Sequence, residues 1–318
     1  MGGGLPHKLL TFVLAASVGA LALAACDDDD TDRTPHTGGT TASGGTGGSG
    51  NTGNIGTGGS TSSGGTTGAG GNQGGGSYVG GAMPQDASVI FLHHSTGGVI
   101  WGGGVSAAID SSNSSNGTSY SVTDEAYPNS PYPWANYPYD YWHLWVENGG
   151  QATAEGIPTL ESYTSQYEVV VFKHCFPVSG IGPDSTPDIS SSEKTIANYQ
   201  LQYNALKAHL LTFTSNRFIV WTGAALTQGA SNTAQGQRAR QFFTWVKTVW
   251  DEPCDNIFVW DFFELETEGG NFLLDMYSAS PPDSHPSGAF AQTVAPFFAQ
   301  RIVDVIEGNG DVGSLTGH

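Results

Sequence analysis

The chain has 318 residues, of which only 10 are Lys or Arg and 29 are Asp or Glu, so its formal net charge is −19. Nucleic acids and anionic lipid surfaces are bound by clustered cations, and this composition argues against both as partners. Gly, Ser and Thr dominate residues 31–81, whereas aromatic and β-branched residues are frequent after them. Only the second region has the apolar side chains that a folded core needs.

An apolar run extends from Leu9 to Ala25 after a short basic start. It is too short and too rich in alanine to span a membrane stably, and it is typical of a signal peptide. Its end, Leu23-Ala24-Ala25-Cys26, resembles the lipobox of bacterial lipoproteins. The resemblance implies cleavage before Cys26 and a lipid on that cysteine, which makes residues 1–26 a lipoprotein signal peptide. The alternative is an ordinary secretory signal that leaves Cys26 unmodified.

Residues 27–83 begin with the acidic run Asp27 to Asp30 and continue as a Gly/Ser/Thr-rich tract. Such a composition buries too little apolar surface to offset chain entropy, so a disordered tether is predicted. Residues 84–318 have the length of one domain. We therefore expect one domain on the bacterial cell envelope, attached to the inner or the outer membrane by the lipid on Cys26. The sequence leaves the oligomeric state open.

Apolar runs rich in β-branched and aromatic residues predict strands covered on both faces: Ser88–Leu92, Glu168–Phe172, Phe218–Trp221 and Ile257–Trp260. Helical patterns lie between and after them: Glu193–Phe213, with Ser190 and Glu193 as a capping box, Ala234–Trp250 and Ala289–Ile306. This alternation predicts an α/β fold, a three-layer α/β/α sandwich with a doubly wound parallel sheet. Functional residues are then expected at the carboxyl ends of the strands.

The segment from Tyr127 to Trp145 is dense in Pro, Tyr and Trp. We expect an ordered loop and a short helix there. Flat aromatic rings can stack on a sugar or an acyl group, or they can cover the sheet as part of the core. Covering the sheet is the favoured interpretation for most of these rings, with one or two lining a cleft.

Two short motifs carry the candidate catalytic residues. Ser95 follows the first predicted strand in a glycine-rich turn, where a hydroxyl stands clear of the sheet and backbone N–H groups can stabilise an oxyanion. Asp283 and His285 lie together just before the last helix, where the imidazole can serve as a general base. Taken singly, Ser95 could cap a turn and the other two could belong to a polar loop. The two motifs together favour nucleophilic catalysis.

At these residues the sequence resembles the SGNH, or GDSL-like, hydrolase superfamily. Ser95 matches its nucleophile, although His93-His94 replaces the usual Gly-Asp, and His285 with the following proline matches its last block. The family places its Asp three residues before the His, where this chain has a proline, so Asp283 is the nearest substitute and Asp261 an alternative. The resemblance implies the flavodoxin-like three-layer fold and an ester hydrolase.

The family's oxyanion-hole blocks match less well. Asn148-Gly149-Gly150 resembles the second block and implies the N–H of Gly150, or of Gly149, as one donor. The third block lacks its asparagine, and His174 or Ser179 could donate instead. The predicted donors are therefore Ser95, Gly150 and His174.

Three other chemistries involve the histidines and cysteines of the domain. His93, His94, His174 and His285 could converge on a metal, but they lack tight ligand spacing, so no metal site is predicted. Cys175 beside His174 is a poor nucleophile candidate, because adjacent residues of a strand point to opposite faces. Export into an oxidising compartment allows a disulfide between Cys175 and Cys254, and two buried free thiols remain the alternative.

The sequence thus predicts a serine esterase of the SGNH type, without a cofactor, acting on an ester such as an acylated carbohydrate or lipid. The substrate would be a small molecule or a polysaccharide. The alternative is a non-catalytic surface lipoprotein that binds glycans on the same fold, which the missing Gly-Asp and Asn-Asp elements favour.

Overall fold

The computed structural model describes residues 80–135 and 137–318. The predicted signal peptide, Cys26 and residues 27–79 of the predicted tether lie outside the described residues, and the domain boundaries stay predictions. Within the described part, no helix combines the length and apolarity needed to cross a membrane.

Seven strands form in the described chain: β1 (Ser88–His93), β2 (Ser121–Ala126), β3 (Thr153–Ala154), β4 (Ile157–Pro158), β5 (Val169–Phe172), β6 (Arg217–Trp221) and β7 (Ile257–Trp260). Five of them make one sheet in the order β2-β1-β5-β6-β7, with every neighbouring pair parallel. The short strands β3 and β4 form a separate antiparallel pair. The chain therefore winds outward in both directions from β1 and β5, which confirms the predicted doubly wound parallel sheet.

The α-helices of the described chain, in order, are α1 (Thr96–Trp101), α2 (Val105–Asn116), α3 (Pro138–Tyr141), α4 (Leu160–Thr164), α5 (Ile196–Leu210), α6 (Thr233–Trp245), α7 (Phe262–Thr267) and α8 (Gly288–Ile306). Helix α3 continues as a π-helix over Trp142–Glu147, and α6 continues as another over Val246–Trp250. A 3₁₀ turn, Phe176–Ser179, follows β5.

The strands are buried on both faces, and each face packs against its own layer of helices. Phe172 of β5 belongs to an apolar cluster that includes Tyr199 of α5. On the opposite face, the rings of Phe91 and Trp221 lie 4.9 Å apart, and both contact Phe298 of α8. Because successive strand residues point to opposite faces, these two clusters make the predicted three-layer sandwich.

Strand β2 was not predicted, because it lies at the edge of the sheet and lacks an apolar run. Its residues Thr123 and Asp124 are exposed. An edge strand with one open side tolerates such polar residues.

The helix boundaries are confirmed at α6 and α8, but the predicted start of the helix at Glu193 is wrong. Helix α5 begins at Ile196, and the hydroxyl of Thr195 accepts a hydrogen bond from the N–H of Asn198 at 3.2 Å. Ser190 lies in the preceding loop, where it donates to Asp188 at 2.7 Å. Several side chains there can cap a backbone, so the sequence alone did not identify the right one.

Cys175 is buried and takes part in no disulfide, so the Cys175–Cys254 disulfide that the sequence left open is not formed.

Candidate active site

The candidate site lies where the strand order changes direction. β1 is followed along the chain by β2 on one side, while β5 lies on its other side. At such a point, the loops that leave neighbouring strands turn in opposite directions and open a crevice at the carboxyl ends. Ser95 follows β1 at this edge, and the loop that begins with Lys173 follows β5.

Ser95 sits in a sharp turn between β1 and helix α1. Its φ of 46° and ψ of −104° lie in a region that non-glycine residues rarely adopt, at a cost of about 1–3 kcal/mol. A Cβ added at Gly97 would lie 2.5 Å from the Cβ of His93, so only glycine lets α1 pack this closely on the strand. The turn leaves Ser95 exposed, whereas Thr96 directly after it is buried. Strain is concentrated at the residue whose hydroxyl is presented to solvent.

The structure brings Ser95, His285 and Asp283 together. The Ser95 hydroxyl hydrogen-bonds to Nε2 of His285, whose Nδ1 lies 2.7 Å from Oδ1 of Asp283. The backbone N–H of His285 donates to the same carboxylate oxygen at 3.0 Å. This network fits the tautomer with the proton on Nδ1, so that Nε2 can accept the proton of Ser95.

The hydrogen bond from the His285 side chain holds the pKa of Asp283 below its usual value. Asp283 therefore stays ionised beside the imidazole, although its side chain is 43% exposed. It lies two residues before the histidine rather than three, and it nevertheless reaches Nδ1. Asp261, the other acid considered, accepts from Thr222 and Lys247 and caps α7.

The loop that carries Asp283 and His285 is held from both sides. The N–H of Thr227 donates to the hydroxyl of Ser284 at 3.0 Å, and the hydroxyl of Ser278 donates to the carbonyl of Asp283 at 2.6 Å. The ring of Phe176 meets the His285 ring edge-on at 5.0 Å. Sequence reasoning missed these supports, since nothing near Thr227 or Ser278 marks them as neighbours of the site.

A buried lysine lies beneath the Ser95 turn. Lys173 is fully buried, and its Nζ donates to the carbonyl of His94 at 3.1 Å and to the sulfur of Cys175 at 2.9 Å. Lys173 thus fixes the carbonyl of the residue before Ser95. A buried cation directly after an apolar strand, in a chain with few cations, is the signal that could have identified it.

The two histidines before Ser95 have structural partners. Nε2 of His93 lies 2.9 Å from Asp124 of β2, and Nε2 of His94 donates to the carbonyl of Pro128. Burial lowers the pKa of both rings. The lowered pKa favours the neutral form of both imidazole rings.

The structure does not bring Gly150 to Ser95. The Gly150 N–H donates to the carboxylate of Glu161, which lies 3.2 Å from Nε2 of His209 in the last turn of α5. Because α5 runs back between the parallel strands β5 and β6, its last turn lies at the amino end of the sheet. Gly150 thus belongs to the opposite end of the sheet from Ser95, and the match to the family's second block is misplaced.

His174 is likewise enclosed elsewhere. It is fully buried, its Nε2 lies 2.8 Å from the hydroxyl of Tyr203, and its ring packs edge-on against Tyr141 and Phe172. Burial, aided by the charge of Lys173, lowers its pKa to about 3, so the ring is neutral. These contacts face the core.

The remaining alternatives have other partners. Ser179 is buried, and its hydroxyl donates to the carbonyl of Ala224 at 2.6 Å. Of the predicted oxyanion donors, the N–H of Ser95 is the one that belongs to a residue in contact with His285. In residues 80–135 and 137–318, no group of three His, Cys, Asp or Glu side chains is arranged to hold a metal.

No protein-family model matches the chain, and no curated protein is similar enough to count as a match. Among solved structures, an acetyl xylan esterase is 15% identical, with a TM-score of 0.41, over 65% of this chain and 96% of its own. A gut microbial diltiazem-metabolizing enzyme is 11% identical, with a TM-score of 0.43, over 75% of this chain. The match spans only 50% of that enzyme's length. At such identities, neither protein's activity carries over to this chain.

Proposed function

We propose that the chain is a serine esterase of the SGNH type. The observation that carries the proposal is the continuous hydrogen-bonded chain from the Ser95 hydroxyl through His285 to Asp283. Such a chain lets an imidazole remove a proton from an attacking hydroxyl while a carboxylate stabilises the resulting imidazolium. The exposed position of Ser95 gives an ester access to it.

The reaction proceeds in two steps. Ser95 Oγ attacks the ester carbonyl while Nε2 of His285 takes the hydroxyl proton, and that proton then passes to the departing alcohol. A water molecule, deprotonated by Nε2 of His285, next attacks the acyl carbonyl, the bond between that carbon and Ser95 Oγ breaks, and the proton returns from His285 to Oγ as a carboxylic acid leaves. The Ser95 N–H donates to the oxyanion in both steps, and a donor of this kind contributes about 3 kcal/mol to transition-state stabilisation.

The esterase proposal is tested with a fluorophosphonate probe and with p-nitrophenyl acetate. We expect labelling on the peptide that contains Ser95, together with ester turnover. Ser95→Ala should abolish both, and Ser111→Ala, an exposed serine on α2, should abolish neither. Folded wild-type protein that reacts with neither reagent would refute the esterase and favour the glycan-binding alternative.

We also propose that the protein is anchored in the cell envelope through a lipid on Cys26. The lipobox-like Leu23-Ala24-Ala25-Cys26 supports this, together with the tether-like composition that follows it. Cys26→Ser should move the protein from the membrane to the soluble fraction. The anchor would be contradicted if Cys26→Ser stayed in the membrane fraction and mass spectrometry of the wild-type protein found no acyl group on Cys26.

A further inference from the structure

An exposed tryptophan lies next to the nucleophile. The Trp134 ring stacks on the His94 ring, one residue before Ser95, with 3.7 Å between centroids and 6° between planes. His94 is itself held by its bond to the Pro128 carbonyl. This loop follows β2, whose carboxyl end adjoins that of β1. The indole is therefore fixed on the β2 side of Ser95, while His285 and Phe176 lie on another side of it.

Trp134 is unusual among the tryptophans of the described chain. It is 36% exposed, whereas Trp145, Trp221 and Trp260 are fully buried. One exposed apolar side chain needs no explanation by itself. Here, however, the loop holds the ring against a histidine beside the candidate nucleophile, which gives the exposed surface a fixed place and orientation.

Hydrogen bonds hold the described residues on both sides of Trp134. The buried carboxylate of Asp140 accepts hydrogen bonds at 3.1 Å from the hydroxyl of Tyr132 and from the N–H groups of Ala135 and Tyr137. The N–H of Trp134 donates to the carbonyl of Tyr132 at 3.0 Å. These bonds hold the described residues in place before a ligand binds, which lowers the entropic cost of binding.

A cavity of about 360 Å³ adjoins Trp134. Pro133 and Ala135, the chain neighbours of the tryptophan, both line it. Its other walls combine rings with hydrogen-bonding groups: Tyr132, Tyr137, Tyr139, His143, Glu155 and Ser192.

The groups that line the cavity favour some classes of ligand over others. An acyl chain favours a continuous apolar lining, and the polar groups here interrupt one. Sugar rings have apolar faces that stack on aromatic rings, and hydroxyl rims that bond to carboxylate, imidazole and phenol groups. The exposed carboxylate of Glu155 would repel a uronate or a phosphate. These features together favour a neutral glycan.

We propose that Trp134 and this tyrosine-lined cavity bind the neutral glycan chain of an O-acylated polysaccharide, which places the ester at Ser95. This assignment rests on the proposed esterase function and deepens it by naming the substrate class. The sugar next to the ester lies on the exposed indole, and the following sugar enters the cavity.

The kinetic test compares O-acetylated cellohexaose, O-acetylated oligogalacturonide and p-nitrophenyl acetate. We expect Trp134→Ala to raise KM for acetylated cellohexaose about tenfold more than for p-nitrophenyl acetate, as the loss of one stacking contact predicts. Trp134→Phe keeps an aromatic face and should restore most of the difference. Leu211→Ala removes a side chain of similar exposure, 39%, at the far end of α5, and should leave the ratio unchanged. A wild-type preference for the acidic glycan would overturn the assignment.

A binding assay separates this inference from the esterase proposal. Ser95→Ala protein should bind unacetylated cellohexaose in calorimetry, and adding Trp134→Ala should weaken binding about tenfold. Wild-type hydrolysis of p-nitrophenyl acetate with no cellohexaose binding by Ser95→Ala would overturn the glycan site and leave the esterase standing. Binding through Trp134 in a protein inert toward every ester would refute the esterase while supporting the glycan site. Circular dichroism checks that each variant is folded.

Discussion

The loops that follow β1 and β5 leave neighbouring strands at the same edge of the sheet, but the first exposes a polar side chain and the second buries two. After β1, Ser95 is strained and exposed. After β5, Lys173 and His174 are fully buried and hydrogen-bonded into the structure. The comparison teaches that a polar residue at a strand end can be presented or enclosed. Residue type and position do not distinguish the two roles, whereas solvent exposure does.

The largest loss of turnover is expected from substitutions at Ser95, the exposed residue of this comparison, and at its partner His285. Ser95→Ala and His285→Ala should each lower kcat for p-nitrophenyl acetate by about 10⁴-fold, because each removes a partner of the proton transfer. The double variant should lose little more than either single one, since the two residues act as a unit. Losses that multiply in the double variant would show that they act independently.

Asp283→Asn should have the next largest effect. The amide cannot stabilise the imidazolium, but the site is open enough for water to compensate in part, so we expect kcat to fall about 10²-fold. Asp275→Asn changes an exposed carboxylate of the same segment and should leave kcat unchanged. Equal turnover of the two variants would mean that Asp283 does not orient His285.

His174→Ala should instead lower the stability of the protein and leave its turnover nearly unchanged. It leaves a cavity and an unpaired Tyr203 hydroxyl in the core, so the free energy of unfolding should fall by about 3 kcal/mol. The kcat of the folded fraction should stay within about twofold of wild type. Urea denaturation and ester turnover measure the two quantities, and a large loss of kcat at full stability would return His174 to the active site.

The same residue makes stability depend on pH. The pKa of His174 is lowered to about 3 in the folded protein, so the unfolded chain binds a proton that the folded chain does not. This contribution to stability is complete above pH 6.5 and is lost as pH falls toward 3, by about 1.4 kcal/mol per pH unit. His174→Phe should flatten the wild-type decline between pH 6 and 4 by that amount, as measured by urea titrations. An unchanged slope would show that the ring does not titrate in this way.

Gly150→Ala gives the smallest expected change. Its φ of 82° disfavours a side chain, and nothing lies within 4 Å of an added Cβ. The substitution should therefore cost about 1 kcal/mol of stability through backbone strain alone. Turnover should be unaffected, because the Gly150 N–H is bonded to Glu161. A marked loss of kcat would place Gly150 in the oxyanion hole after all.

The sequence predicted the parallel sheet because β-branched and aromatic runs such as those of β5 and β6 identify strands buried on both faces. It missed β2, where exposure of one side leaves a polar pattern. Ser95 and His285 were chosen as candidates because a hydroxyl follows an apolar strand in a glycine-rich turn and an imidazole lies beside a carboxylate just before the last helix. That signal lies within a few neighbouring residues of the sequence, so it can be recognised without knowledge of the fold.

The contacts of the supporting residues could not be predicted in the same way. The contact of Lys173 with the His94 carbonyl depends on how β1 and β5 pair, and the stacking of His94 on Trp134 depends on how the loop after β2 folds back. Gly150 was misassigned because a glycine pair resembles a turn motif wherever it lies. Such contacts join distant parts of the chain, and nothing in the local sequence records which parts meet.

The distance along the chain between Ser95 and His285, 190 residues, also has a consequence for folding. Contacts between such distant residues form late, because the entropy of closing the intervening loop must be overcome first. Ser95 follows the first strand of the described domain, and His285 precedes α8, the last helix of the described chain. A nascent or truncated chain that lacks the loop before α8 carries a serine without a proton acceptor. Hydrolytic activity would thus require both ends of the domain to have joined, and its appearance would report that they have.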